Sequence, residues 1–161
     1  MDLFEFAKKM EKDGEKFYRG LADSSDETGI KKIFSMLAEA EVRHYNALTE
    51  MQKRQVPGLP DSDILDDAKN VFFGMKREKF DPNFEFPQID VYRQALDIEK
   101  KSREFYEQKA AEFKEEKPRT LFLKIAEEEK QHYFLIDNII EFMQRPFRWL
   151  ENAEWHHLEE Y

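Results

Sequence analysis

The chain's 161 residues are enough to bury the core of one domain without disulfides, and five glycines and six prolines against 38% charged residues favour long solvated helices over a strand-and-turn protein. A formal net charge of −9, with Lys and Arg interleaved among acids, excludes the basic surface that a nucleic acid needs and makes cations the more natural ligands. With no cysteine the chain forms no disulfide, thiolate metal site or iron–sulfur cluster, so any metal must rest on oxygen and nitrogen donors.

The acidic start Met1-Asp2-Leu3-Phe4-Glu5 is unlike a signal peptide, and no stretch approaches the roughly 18 apolar residues of a membrane span, so the expectation is a cytoplasmic protein with no membrane partner. Asp2 suits an N-cap. From it Leu3, Ala7, Met10, Gly14, Phe17 and Leu21 step by fours and threes, predicting a helix to about residue 22 with that stripe on its inner face. Residues 23–29 read as a turn. A second helix follows, with Ile30, Phe34, Leu37, Glu41, His44, Leu48 and Met51 forming an apolar seam broken only at Glu41 and His44, and Pro57 and Pro60 end it.

Residues 56–87 are too many for a tight turn and contain one helical stretch, 64–75, which predicts a long crossover. A bundle helix of about 26 residues is about 40 Å long, a span that an extended connector of this size covers, so the second and third bundle helices can run parallel. Val91, Ala95, Ile98, Ser102 and Phe105 then mark the third bundle helix. Phe122, Ile125, Glu129, His132, Ile136, Ile139 and Met143 mark the fourth, with Pro118 in its first turn and Pro146 after its end. The tail, 146–161, carries Trp149 and Trp155 and is expected to pack as a short lid or at a subunit contact. The whole chain reads as a single domain.

Glu41-Val42-Arg43-His44 and Glu129-Lys130-Gln131-His132 are the same Glu-x-x-His motif 88 residues apart, and the interval holds without gaps elsewhere. It relates Glu11 to Glu99, Phe17-Tyr18 to Phe105-Tyr106, Ala38-Glu39 to Ala126-Glu127, and Tyr45 to Tyr133. Residues three apart on a helix share a face, so each Glu-x-x-His projects as one unit, and its place in the apolar seam points it inward. Glu11 and Glu99 lie on ridges beside their helices' apolar stripes, each facing the neighbouring motif. Four ionised carboxylates in a bundle core would cost several kcal/mol per charge unless compensated, and two divalent cations neutralise them. Each cation would meet carboxylates and one imidazole, a donor set suited to iron or manganese, with zinc a competitor. Of the three consecutive acids Glu127, Glu128 and Glu129, the repeat selects Glu129. Tyr18 and Tyr106 read equally as core aromatics or as donors to ligand carboxylates. Glu154 and His157 repeat the motif's spacing in the tail without a partner, and neither they nor His156 are expected to touch the centre.

These residues resemble the ferritin-like superfamily, and within it the rubrerythrin-like di-iron carboxylate proteins, which take one Glu from each of two helices and a Glu-x-x-His from each of the other two. The likeness covers about residues 3–145 through Glu-x-x-Gly/Ser-x-x-Phe-Tyr and Glu-x-x-His. It implies an all-α ferritin-like four-helix bundle of two duplicated hairpins, with a long crossover between the second and third helices and a short C-terminal extension. It also implies two iron ions on Glu11, Glu41, His44, Glu99, Glu129 and His132, in an oxidoreductase acting on hydrogen peroxide, with dioxygen as the other oxidant. Two features depart from the family's pattern: Ser102 stands where an additional acid is common, and no cysteine-rich rubredoxin domain is present. The ligand switch tied to that acid is therefore not implied, and electrons are expected from a separate donor protein to what would be a homodimer. Iron handling, as a ferroxidase or a storage protein, is the alternative. A structural bundle with a vestigial or zinc-filled site is a third reading.

Overall fold

The computed structural model describes residues 2–53, 59–77 and 89–144, which form five helices and no strand. Helix α1 spans Leu3–Asp23, and the Asp2 carboxylate accepts the Glu5 N–H at 2.9 Å, satisfying a donor that the first turn leaves open. Helix α2, Thr28–Gln52, is capped in the same way by Glu27, whose side chain accepts from Ile30 N at 2.7 Å. Helix α3, Ile64–Arg77, lies in the crossover. Helix α4 spans Ile89–Glu112 and α5 Glu116–Gln144, with Pro118 buried in α5's first turn, where its missing N–H costs nothing. The sequence expectations for Pro57, Pro146 and the tail, including Trp149, Trp155, Glu154, His156 and His157, fall outside the described residues.

Cross-helix pairs fix the topology. Lys8 meets Gln52 and Arg19 meets Glu39, so α1 and α2 run antiparallel. Tyr106 meets Glu11 and Tyr18 meets Glu99, so α1 and α4 are antiparallel as well. It follows that α2 and α4 run the same way, and the chain between them must travel the length of the bundle. On that journey α3 packs over α2 and α5. Its approach to α2 is close enough that a Cβ on Gly29 would lie 2.5 Å from Met75 Sδ.

The inner faces of α2 and α5 are those the periodicity predicts, whereas on α1 and α4 only part of the predicted stripe, Ala7, Gly14, Leu21, Ala95 and Ser102, is buried. Helix α1 buries Ala7, Glu11, Gly14, Tyr18, Leu21 and Ala22. Helix α4 buries Tyr92, Ala95, Glu99, Ser102, Tyr106 and Ala110, and Ile98, expected inside, is 39% exposed. Both helices are turned so that the acid-and-tyrosine ridge faces the axis and the apolar stripe is moved partly to the flank. Phe17 and Phe105 there pack edge-on against Tyr18 and Tyr106 at centroid distances of 5.8 and 5.3 Å. The consequence is a core in two parts. One, around Phe34, Phe72, Tyr92, Ile136 and Phe142, includes the buried face of α3. The other, around Leu48, Leu121, Phe122 and Ile125, closes the opposite end. A buried polar layer lies between them.

Candidate metal centre

The polar layer is built where four helices converge. Glu11 comes from α1, Glu41 and His44 from α2, Glu99 from α4, and Glu129 and His132 from α5, and none is more than 4% exposed. The structure brings all six together as two overlapping groups of four, Glu11–Glu41–His44–Glu129 and Glu41–Glu99–Glu129–His132. Within each group one donor atom per residue lies within 4.8 Å of the others. Glu41 and Glu129 belong to both groups, while Glu11 with His44, and Glu99 with His132, mark the two ends. Both imidazoles turn Nδ1 toward the acids: His44 Nδ1 is 3.3 Å from Glu11 and 3.1 Å from Glu129, and His132 Nδ1 is 3.5 Å from Glu41 and 3.6 Å from Glu99. The two rings lie 5.7 Å apart and nearly parallel.

Tyr18 and Tyr106 donate to the end carboxylates across the bundle. Tyr106 Oη is 2.5 Å from Glu11, and Tyr18 hydrogen-bonds Glu99, so each tyrosine serves the acid of the opposite hairpin. Burial raises both phenols well above their ordinary range, and the neighbouring Glu11 and Glu99 raise them further, which keeps them protonated as donors.

Charge is the dominant feature of this layer. Burial pushes the Glu41 carboxyl well above the carboxylate range, with Glu11 and Glu129 adding to it. Burial and then Glu129 do the same to Glu99. Burial would raise Glu11 too, but the His44 charge, with hydrogen bonds to Glu41, His44 and Tyr106, holds it below its usual value. For His44 burial acts downward and is outweighed by Glu11, with Glu128 and Glu129 assisting, so the imidazole is held well above its ordinary range. Protons thus hold this cluster together, in positions where a cation would replace them.

Three observations fit a metal to these residues. Glu41 Oε1, Glu99 Oε2 and both ring nitrogens of His132 are buried with no hydrogen-bond partner, an arrangement that costs free energy unless a cation satisfies it. A Cβ at Gly14 would lie 2.9 Å from Glu41 Oε2, so the missing side chain is what gives a shared carboxylate its space. The donor set, two carboxylates common to both positions with one further carboxylate and one imidazole at each, is that of hard-to-borderline divalent ions.

One residue was not selected by sequence reasoning. Glu128 is 2% exposed, its Oε1 lies 3.0 Å from His44 Nε2, and Arg43 Nη1 lies 3.7 Å from the same oxygen. The available signal was a break in the repeat, because the position 88 residues earlier is Ala40.

The family model described as Rubrerythrin matches residues 2–140. The chain belongs to the rubrerythrin family. No curated protein and no solved structure matches it. Rubrerythrin membership implies a di-iron carboxylate protein, and the buried Glu and His groups described above are able to hold such a metal. Ser102, 8% exposed, occupies the place where rubrerythrin-like proteins commonly add an acid. Among the described residues no helix is long and apolar enough to cross a membrane.

Proposed function

We propose that this chain is a di-iron oxidoreductase that reduces hydrogen peroxide, with Glu11, Glu41, His44, Glu99, Glu129 and His132 holding the iron pair. The supporting observation is the sharing of Glu41 and Glu129 between two otherwise separate end pairs, which suits two cations side by side better than one in a cage. When bound, a ferrous pair supplies two electrons to a peroxide, whose O–O bond breaks to give two waters as two protons are taken up. Glu41 and Glu129, which stand in both groups of four, would hold the pair together, and their two carboxylates would balance part of its charge. The Tyr18 and Tyr106 hydroxyls, protonated at their oxygens, fix the Glu99 and Glu11 carboxylates in place. The apolar clusters above and below exclude bulk water, which strengthens every electrostatic contact in the layer. These 161 residues carry no thiolate for a second iron centre, and the reading takes re-reduction to come from a separate electron donor.

Rapid mixing of the anaerobic, iron-loaded protein with peroxide tests the reading. The expected result is about one peroxide consumed per metal pair, with ferric iron retained and turnover continuing only when a donor is added. A ferrous form inert to peroxide that oxidises quickly in air and releases or mineralises iron would make iron handling the better account. Size-exclusion chromatography adds a second criterion, since storage needs a very large assembly and the peroxidase reading expects a homodimer.

A further inference from the structure

We propose that Glu128 is a positioning residue for His44, and that it makes the Glu11–Glu41–His44–Glu129 group the tighter of the two metal sites. The inference rests on the two-metal reading above and deepens it.

The internal repeat supplies the comparison. At the interval of 88 residues, Glu128 on α5 corresponds to Ala40 on α2, and Arg43 on α2 to Gln131 on α5. On one side of the bundle Glu128 Oε1 accepts from His44 Nε2 at 3.0 Å. Arg43 Nη1 lies 3.7 Å from that oxygen, and Arg43 Nη2 donates to the Pro60 carbonyl at 3.1 Å. On the other side Ala40 offers only a buried methyl group, and His132 Nε2 has no hydrogen-bond partner.

With its Nε2–H committed to Glu128, the His44 ring is fixed with Nδ1 facing Glu11 and Glu129, and a metal need only displace the proton there. His132 turns Nδ1 the same way but has nothing behind Nε2 to hold it. A carboxylate behind a ligating imidazole is worth about 10–100-fold in metal affinity, and its presence on one side only separates the two sites by about that factor. Arg43 compensates the added carboxylate, so Glu128 supplies orientation without a fifth unpaired negative charge in the layer. Arg43 also lines a cavity of about 490 Å³ with Ala40, Met36, Asp61 and Asp67, so the supporting chain of contacts reaches solvent.

The test is calorimetric titration of metal-free full-length protein with Zn²⁺, followed in parallel by ¹⁵N NMR of labelled histidines. Wild-type protein is expected to bind two Zn²⁺ in steps about 10–100-fold apart, with His44 metallated and His132 free at one equivalent. Glu128→Ala should weaken the tight step alone, by about 10–100-fold, and shift a single Nε2–H resonance, while Glu128→Gln, which keeps an acceptor oxygen, should restore most of the gap. Unchanged affinities in Glu128→Ala, or equal weakening of both steps, would overturn the assignment and leave Glu128 as an ion-pair partner of Arg43. Should Glu128→Ala not fold, the wild-type filling order decides alone, and His132 filling first refutes the proposal. A wild-type protein that takes up fewer than two Zn²⁺ removes the two-metal reading itself, a result distinct from two equal sites.

Discussion

Helices α2 and α5 differ from α1 and α4 in what they turn inward. The first pair presents long apolar seams, from Ile30 to Leu48 and from Leu121 to Phe142, interrupted mainly by the Glu-x-x-His residues. The second pair presents small residues, Ala7, Gly14 and Ala22 or Ala95, Ser102 and Ala110, alongside one acid each and Tyr18 or Tyr92 and Tyr106. The difference separates two tasks. Helices α2 and α5 carry most of the hydrophobic driving force, while α1 and α4 devote their inner faces to space and donors for the polar layer. Changes at the apolar positions of the first pair should therefore damage folding, and changes at the small inward positions of the second should damage metal binding.

The largest expected effect tests the first half of that division. Phe34, fully buried on α2, packs on Tyr18 and Tyr92 at 6.3 and 5.3 Å, and Phe34→Ala should cost about 3–5 kcal/mol in urea unfolding. The fraction that folds should keep its full metal content. Equal loss of metal and stability would erase the distinction.

A second effect comes from the layer that both pairs share. Glu41 and Glu99 have folded-state pKa values above their unfolded ones, so the folded metal-free protein holds protons that the unfolded chain has released. The stability they contribute is full below the unfolded carboxylate range and is lost as pH rises through the raised values. His44 is raised as well, and its contribution is likewise lost with rising pH. Glu11 is lowered and acts in the opposite sense, but only in acid, below its ordinary range. Between about pH 5 and pH 8 the melting temperature of the metal-free protein should therefore fall, whereas that of the Zn²⁺-loaded protein should rise because metal competes with protons. Melting curves of both forms across this window are the check, and a flat metal-free profile would contradict the account.

The smallest effect is the most selective. Gly14→Ala gains about 1 kcal/mol of helix propensity on α1 but sets a methyl carbon 2.9 Å from Glu41 Oε2. The metal-free protein should be slightly more stable, and metal affinity should fall about tenfold as the shared carboxylate is displaced. Calorimetry and denaturation on the same sample separate the two. A variant that loses metal-free stability would mean that the site of Gly14 is structural.

How far the sequence revealed this arrangement depends on the helix. The seams of α2 and α5 were legible because their burial follows the 3.6-residue period, and even their two polar interruptions fall in register. On α1 and α4 the same period found Ala7, Gly14, Leu21, Ala95 and Ser102, which are buried, but also pointed to Met10, Phe17, Ile98 and Phe105, which the structure turns toward the flank. Hydrophobic periodicity reports one helix at a time, while the convergence of Glu11 and Glu99 on a common centre is a property of four helices together. The six acid and imidazole positions were legible for a different reason, namely that duplication marks them twice. The crossed pairing of Tyr18 with Glu99 and Tyr106 with Glu11 was hidden because it joins residues from different hairpins. Glu128 was masked by its acidic neighbours, and only the failure of the repeat at Ala40 sets it apart.

Glu41 belongs to the first hairpin and Glu129 to the second, and both stand in each group of four. A cation at either position therefore clasps segments joined only through the crossover, closing a circuit of chain far longer than either hairpin turn. The hairpins cannot part while that clasp is shut. With a cation bound there, unfolding would have to pass through its release, and the rate of that release would limit the lifetime of the folded chain.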